Sequence, residues 1–346
     1  MDLTNFNANS AGNPNNNIFG LPSSEADSRL ILLPVPWEVT VSYGAGTARC
    51  PEHILSASLQ IDLFDADMRD LWKNGFYMRP VDKKILLKSD YLRKEAELYI
   101  DYSAKGGLLE NNKFMQKSLK EINEGSIYLN NWVYEETKAL LAKEKLVGLI
   151  GGDHSTPIGF YKALEEKHGS FGILQIDAHA DLRKDFEGFK YSHASIMYNS
   201  LQEIPGIEKL VQVGVRDYCE EEYEFILQNQ NRVHTFFDQQ LKERSFIGKN
   251  WDEEVKDIIA CLPEKVCISF DIDGLDPKLC PHTGTPVPGG LQEQQALYLF
   301  KQLLQSGRKL IGFDLVEVVS TDDQWDTNVA AHLLWKLCNF LMKSNG

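Results

Sequence analysis

The sequence predicts an α/β fold in which helices cover both faces of a parallel β-sheet. Two observations support this prediction. Short apolar runs alternate with stretches of helical apolar spacing, and neither an internal repeat nor a long linker interrupts the alternation. The count of about eight strands fits both an open three-layer sheet and a closed β/α barrel, and the alternation alone does not choose between them.

Each predicted strand is a short apolar run, and each predicted helix has apolar residues at helical spacing. The predicted strands cover residues 29–35, 85–87, 147–150, 171–176, 209–215, 232–237, 265–270 and 309–316. The predicted helices cover residues 51–59, 91–102, 113–124, 127–143, 157–167, 220–228, 251–262, 292–306 and 328–342. Residues 1–28 are rich in Asn, Ser and Gly, and we expect them to form a polar N-terminal arm.

Composition narrows the class of protein. The 346 residues, 43% of them hydrophobic, are enough for one large domain. A net charge of −14 argues against nucleic acid and anionic membranes as main partners. The chain has no apolar run of membrane-spanning length and no signal-peptide pattern, so we expect a cytoplasmic protein. The six cysteines are scattered without a CxxC motif, as is typical of free thiols in a reducing compartment.

The strongest functional signal follows the apolar run 171–176, which ends in Asp177, His179 and Asp181. In an extended chain, residues two apart project to the same side, so these side chains can converge just past the strand end. Two carboxylates and an imidazole at one point would be costly to desolvate without a cation. A divalent metal ion is therefore the natural occupant, and a solvated turn is the alternative.

Two further predicted strands end in the same way. His154 follows the run 147–150, and Asp271 and Asp273 follow the run 265–270. In a parallel α/β sheet, the carboxyl ends of the strands lie on one edge, where ligands bind. Four carboxylates and two neutral imidazoles would balance the charge of two divalent cations. Since oxygen ligands predominate and no cysteine joins the set, the pattern favours Mn²⁺ over structural Zn²⁺.

Three motifs resemble the signatures of the ureohydrolases, the arginase and agmatinase enzymes. They are Gly151-Gly-Asp-His-Ser155, Asp177-Ala-His-Ala-Asp181 and Ser269-Phe-Asp-Ile-Asp-Gly-Leu-Asp-Pro277, the last followed by Thr283-Gly-Thr-Pro286. The resemblance implies a three-layer α/β/α sandwich around a roughly eight-stranded parallel sheet, as one catalytic domain over residues 29–346. It also implies a homo-oligomer whose binuclear manganese centre hydrolyses a guanidino compound to urea and an amine.

The resemblance also implies a role for each matching residue. One ion would be held by His154, Asp177, Asp181 and Asp271, and the other by Asp177, His179, Asp271 and Asp273. His193 matches the histidine beside the substrate that shuttles protons, and Asp181 would also help to hold the reacting carbon. Glu317 matches the carboxylate that binds the substrate, since a carboxylate can accept two parallel N–H bonds from a guanidinium. Taken alone, His193 and Glu317 would be interpreted as a structural histidine and a surface glutamate.

The choice of substrate depends on residues 182–191. This segment lacks the Asn and Ser pattern with which arginases bind the α-amino and α-carboxylate groups, and it looks more like agmatinase-type members. Asp185 and Glu187 favour a cationic tail, whereas Arg183 and Lys184 favour a carboxylate. We therefore predict hydrolysis of agmatine to putrescine. Arginine, formiminoglutamate, a guanidino acid and guanidine are alternative substrates, and a catalytically silent metal-binding scaffold is the alternative of another class.

Three further features bear on the site or its surroundings. His282 stands where the family usually has a small residue, and it could narrow the substrate pocket. The stretch 62–145 is long enough to build a lid or a subunit contact. Asp153 is expected to orient His154 or to cap a helix.

Overall fold

An eight-stranded sheet, parallel throughout, forms the middle layer of the computed structural model, which describes residues 1, 3–4 and 6–346. In chain order its strands are β1 (Leu30–Val35), β2 (Phe76–Met78), β3 (Leu146–Gly151), β4 (Phe171–Ile176), β5 (Ile207–Val213), β6 (Val233–Phe236), β7 (Lys265–Asp271) and β8 (Lys309–Val316). The spatial order is β2-β1-β3-β8-β7-β4-β5-β6. Because β2 and β6 are the two edges, the sheet is open, and the barrel alternative is excluded.

Helices cover both faces of this sheet. Those of the described residues are α1 (Cys50–Ala57), α2 (Lys83–Ala104), α3 (Lys113–Ala142), α4 (Ile158–His168), α5 (Ile196–Glu203), α6 (Glu220–Gln228), α7 (Asp238–Phe246), α8 (Trp251–Ala260), α9 (Glu293–Gln305) and α10 (Trp325–Ser344). Alternate residues of each strand enter two separate apolar clusters, as Leu30 and Ile31 of β1 do. Helices α1 and α7–α10 pack into one cluster and α2–α6 into the other, which confirms the three-layer α/β/α sandwich.

The predicted strand 85–87 is wrong, because these residues lie in the first turns of α2. Asp82 begins that helix by accepting hydrogen bonds from the backbone N–H groups of Lys84 and Ile85. The eighth strand is instead β2, which has only three residues and therefore gives little apolar signal. The predicted helices 113–124 and 127–143 form the single helix α3, and the helices α5 and α7 have no counterpart in the prediction.

The predicted N-terminal arm contributes to the core. Ile18, Phe19 and Leu21 are buried, and the Phe19 ring packs edge-on against Trp335 of α10 at 4.9 Å between centroids. The apolar side chains of this short segment explain why a mostly polar stretch docks on the sheet. The division at residue 28 stays a prediction. None of the helices in the described part of the chain is long and apolar enough to cross a membrane.

Four adjacent central strands, β3, β8, β7 and β4, position the predicted site. His154 follows β3, Glu317 follows β8, Asp271 ends β7 and Asp177 follows β4. Because all four strands are parallel, these residues emerge from the same edge of the sheet. The topology therefore brings together residues that lie up to 163 positions apart in the sequence.

Candidate metal centre

The first half of the site surrounds the imidazole of His154. Its Nδ1 atom lies 3.1 Å from Asp177 Oδ2, 2.9 Å from Asp181 Oδ2 and 3.4 Å from Asp271 Oδ2. All four side chains are buried. Two carboxylates from the loop after β4 and one from the end of β7 thus converge with His154, as the sequence predicts from the strand ends.

The second half surrounds His179. Its Nδ1 atom lies 3.0 Å from Asp273 Oδ2 and 3.6 Å from Asp177 Oδ1. Asp177 therefore belongs to both halves, with one carboxylate oxygen facing each histidine. Asp271 contacts the first half through Oδ2, and its Oδ1 accepts the backbone N–H of Asp273, a member of the second half, at 2.9 Å. Five of the six predicted ligands form two overlapping groups suited to an ion, namely His154, Asp177 and Asp181, and Asp177, His179 and Asp273. The sixth, Asp271, lies beside the first group.

The ring of His154 is oriented so that Nδ1 can bind a metal. Tyr161 and Ser269 both donate to Asp314, at 2.7 and 2.8 Å. Because the Ser269 hydroxyl proton is used in this way, Ser269 Oγ accepts from His154 Nε2–H at 2.9 Å. Nε2 therefore keeps its proton, and the buried Nδ1 atom, which makes no hydrogen bond within the described residues, faces the three carboxylates. A buried imidazole nitrogen that can give up its proton among carboxylates fits a metal ion.

Ser269 rather than Asp153 orients the His154 ring, so that part of the Asp153 prediction is wrong. Asp153 Oδ1 instead accepts from the backbone N–H and the hydroxyl of Ser155, at 2.9 and 2.5 Å. These contacts satisfy Asp153 locally and close the turn after β3. The Nε2 atom of His154 is left to Ser269, which strand β7 supplies.

Two site residues adopt left-handed backbone conformations. Asp181 has φ +55° and Glu317 has φ +61°, a region that costs a non-glycine residue roughly 1–3 kcal/mol. Surrounding contacts stabilise both. The Asp181 carbonyl accepts from the N–H groups of Met197 and Tyr198, and Glu317 N–H donates to the carbonyl of Gly152 at 2.9 Å. Such backbone strain is typical of functional sites, where the direction of a side chain is maintained at a cost in backbone energy.

The site concentrates negative charge. Burial and then the charge of Asp177 raise the pKa of Asp181 to about 7. Burial is also the first cause that raises the pKa of Asp271 well above its usual value, followed by Asp273 and Asp177. Burial is the largest single effect on the pKa of His179 and lowers it, but the charges and hydrogen bonds of Asp273 and Asp177 together outweigh burial and raise that pKa to about 12. Carboxylates that repel one another at this density fit a site that binds cations.

We expect metal affinity to rise with pH, because protons and cations compete for these ligands. His179, with a pKa near 12, must release its proton to a metal at any pH from 6 to 8. Asp181, with a pKa near 7, is mostly protonated at pH 6 and mostly ionised at pH 8. Binding should therefore release up to about one proton more at pH 6 than at pH 8. Calorimetric titration in buffers of different ionisation enthalpy measures this number, and an equal or smaller release at pH 6 would contradict it.

A cavity of about 160 Å³ opens beside the two clusters. Of the predicted residues, His179, Asp181 and His193 line it. Burial, and then the neighbouring His179, lower the pKa of His193 to about 3, so this imidazole is neutral. Glu317 is only 7% exposed, and its Oε1 accepts the backbone N–H of His154 at 2.8 Å.

The segment 182–191 reaches the cavity through Arg183 and Phe186. The Arg183 guanidinium lies 5.0 Å above the Phe186 ring. Asp185 is exposed, whereas Glu187 lies in a tight turn with one oxygen buried. The acidic pair that the sequence suggested for a cationic tail is therefore split between two environments.

Sequence reasoning missed three residues with ionisable side chains that line the cavity, namely Asp217, Tyr218 and Glu222. Asp217 and Tyr218 follow the carboxyl end of β5, so the rule that placed the other residues could also have found them. Glu222 accepts the backbone N–H groups of Leu182 and Cys219, both at 2.9 Å. It thereby joins the two loops that form this wall.

The long stretch 62–145 supports the site from outside. Arg93 of α2 donates to the carbonyls of Val39 and Val41 in the loop after β1. Asn123 of α3 donates to the Gly188 carbonyl at 3.1 Å and accepts the Lys190 N–H at 2.9 Å. These helices therefore hold two loops that border the cavity.

His282 is held by Asp326, near the start of α10. The Nδ1 atom of His282 lies 2.9 Å from Asp326 Oδ1, and its backbone N–H donates to Asp326 Oδ2 at 2.9 Å. This pair anchors the Pro- and Gly-rich loop after Asp273 to the helix. The histidine is thus used to position the loop, from which Thr285 reaches the cavity.

Several known proteins are similar to this chain in sequence or in fold. A model of the Arginase family matches residues 28–339. An N(1)-aminopropylagmatine ureohydrolase of Thermus thermophilus is 31% identical over 307 residues, which cover 88% of this chain and 87% of that relative. An agmatinase of Bacillus cereus is 27% identical over 312 residues, or 90% of each chain. The structure of an agmatine ureohydrolase of Thermoplasma volcanium, 21% identical, superposes with a TM-score of 0.69 over 93% of this chain and 92% of that one, so the two share a fold.

Proposed function

Because the chain belongs to the arginase family, a family of ureohydrolases that cleave guanidino C–N bonds, we propose that it is a binuclear manganese enzyme converting agmatine to urea and putrescine. The two overlapping ligand groups that share Asp177 carry this proposal. N(1)-aminopropylagmatine is the second candidate substrate, since a relative 31% identical bears that name. Both molecules join a guanidinium to a second cationic group by an alkyl chain. A homo-oligomeric assembly and a cytoplasmic location belong to the same proposal.

The ligand chemistry supports manganese. Four carboxylates and two imidazoles would hold the ions, namely Asp177, Asp181, Asp271, Asp273, His154 and His179. Oxygen-rich sites of this kind suit Mn²⁺ better than thiolate-preferring ions. When bound, the two ions would supply the Lewis acidity that activates water as the nucleophile.

Side chains of the chain would perform substrate binding and proton transfer. We assign guanidinium binding to Glu317, whose carboxylate can accept two parallel N–H bonds and hold the poorly electrophilic carbon in place. Asp181 lines the cavity and can accept a further N–H as that carbon becomes tetrahedral. We assign proton transfer to Nε2 of neutral His193, because its Nδ1 contacts Ser192 Oγ at 3.3 Å. This atom would pass a proton from the attacking water to the departing amine, so that the amine leaves protonated.

The charge at the mouth of the cavity supports a substrate with a cationic tail. The side chain of Asp217 is 70% exposed, and its Oδ2 lies 4.0 Å from His179 Nε2. The charge of Arg183 is offset by Glu222, whose Oε2 lies 3.8 Å from Arg183 Nε. Asp217 therefore leaves a net negative charge where the tail of a bound substrate would emerge.

A substrate panel tests the proposal with the Mn²⁺-loaded protein. We expect the highest kcat/KM for urea release with agmatine or N(1)-aminopropylagmatine, and lower values with arginine, formiminoglutamate, 4-guanidinobutyrate and guanidine. Asp217→Asn should lower kcat/KM for the cationic substrates by about fivefold, the effect of an exposed ion pair near 1 kcal/mol, and should not lower it for 4-guanidinobutyrate.

Glu221→Gln is the matched control, because Glu221 is an exposed carboxylate in the first turn of the adjacent helix α6. It should leave the panel unchanged. A preference for 4-guanidinobutyrate or arginine, or an equal effect of Asp217→Asn on all substrates, would contradict the assigned tail site. The absence of urea release with every compound would contradict the enzymatic proposal.

A further inference from the structure

A row of polar side chains crosses the middle of the sheet beneath the candidate metal centre. In lateral register across five neighbouring strands, the row consists of Asp314 (β8), Ser269 (β7), Gln175 (β4), Gln212 (β5) and Thr235 (β6). The interior of a parallel sheet is normally apolar. A buried amide without partners costs roughly 1–3 kcal/mol, so each member of such a row needs complete hydrogen bonding.

The hydrogen bonds of the two glutamines run in one direction. Thr235 Oγ1 donates to Gln212 Oε1 at 2.7 Å, so the amide nitrogen of Gln212 faces the other way. That nitrogen donates to Gln175 Oε1 and to the Ala180 carbonyl, both at 2.7 Å. Gln175 Nε2 in turn donates to Asp177 Oδ2 at 2.8 Å. Because an ionised carboxylate only accepts, the chain of bonds ends at Asp177.

The oxygen that Gln175 holds is specific to one half of the centre. Asp177 Oδ2 lies 3.1 Å from His154 Nδ1, whereas Asp177 Oδ1 accepts the backbone N–H of His179 at 2.7 Å and lies 3.6 Å from the Nδ1 of that residue. The backbone thus positions Oδ1, and the glutamine positions Oδ2. The two oxygens are held by independent partners.

We propose that Gln175 is a positioning residue that fixes Asp177 Oδ2 for the cation on the His154 side, with Gln212 and Thr235 setting the direction of its amide. This inference rests on the proposed two-ion centre. A carboxylate without this bond can rotate about its terminal torsion, which would move Oδ2 away from the His154 side. Loss of Gln175 should therefore lower the affinity for the cation on the His154 side and leave the affinity for the other cation unchanged.

The test is Gln175→Met, which keeps the length of the side chain and removes the donor. Calorimetric Mn²⁺ titration of the full-length protein should show one of two ions bound about 10- to 100-fold more weakly, the usual effect of losing a partner of a metal ligand. The other ion should keep its affinity. The visible absorption of the Co²⁺-loaded protein should change for one ion of the pair, and thermal unfolding of the metal-free protein reports whether the fold is intact.

The outcomes separate this inference from the proposed function. A wild-type protein that binds fewer than two ions would overturn the two-ion centre itself. A wild-type protein with two ions and a Gln175→Met variant with both at full affinity, or with both weakened equally, would overturn the role of Gln175 alone. If Gln175→Met does not fold, the double variant Gln175→Met/Gln212→Met is the second test, because it removes both side chains of the hydrogen bond between the two amides. The same weakening of one ion's affinity is expected for it. Failure of both variants to fold would give the row a purely structural role and overturn the proposal.

Discussion

The Asp177→Asn variant is expected to lose both metal ions and nearly all urea formation. Asparagine keeps the shape of the side chain and can still accept the His179 N–H, but it removes the one negative charge that both clusters share. The fall in kcat should exceed the ~10- to 100-fold typical of losing an outer partner of a ligand. Metal content after dialysis and the rate of urea release from agmatine with Mn²⁺ measure the two effects.

Asp276→Asn is the matched control for that variant. Asp276 lies on the same edge of the sheet, where its Oδ1 accepts the Lys278 N–H at 3.1 Å in a turn. It should retain two ions and full activity. An Asp177→Asn protein that binds two ions with wild-type affinity would show that Asp177 does not bridge the two halves.

The Glu317→Gln variant is expected to retain both ions and to lose most of its affinity for the guanidinium. The glutamine oxygen can still accept the backbone N–H of His154, so the metal ligands stay in place. The lost charge should cost roughly 2–5 kcal/mol, as for other buried charge pairs with one partner removed. That cost corresponds to a fall in kcat/KM of about 30- to 5,000-fold.

Steady-state kinetics and metal analysis on the same preparation check both parts of this prediction. If Glu317→Gln loses its ions, the carboxylate acts on the metal centre and not on the substrate. If both the ions and kcat/KM are unchanged, another residue binds the guanidinium.

Much of the fold and of the candidate site could be predicted because the signals are local. Each central strand is an apolar run followed by polar residues, as at Phe171–Ile176 and Asp177, and a parallel sheet gathers all such ends on one edge. The three-layer sandwich, which the family resemblance implied, is confirmed. The short strand Phe76–Met78 could not be predicted, because three residues carry almost no periodicity.

Other features depend on contacts that a sequence pattern does not contain. The apolar run around Gln175 predicts a strand but gives no reason for a glutamine within it. The role of Gln175 becomes visible only from its alignment with Gln212 and Thr235 on the strands beside it. The orientation of His154 likewise depends on Ser269, which lies 115 positions away. The cap at Asp82, by contrast, was a local signal that could have corrected the false strand at 85–87.

Anomalous diffraction at the manganese absorption edge, from crystals grown with Mn²⁺, would locate the ions of the proposed two-ion centre. We expect two anomalous peaks at the carboxyl edge of the sheet, one beside His154 Nδ1 and the other beside His179 Nδ1, with the Asp177 carboxylate between them. A single peak, or no peak among these side chains at saturating Mn²⁺, would contradict the two-ion centre.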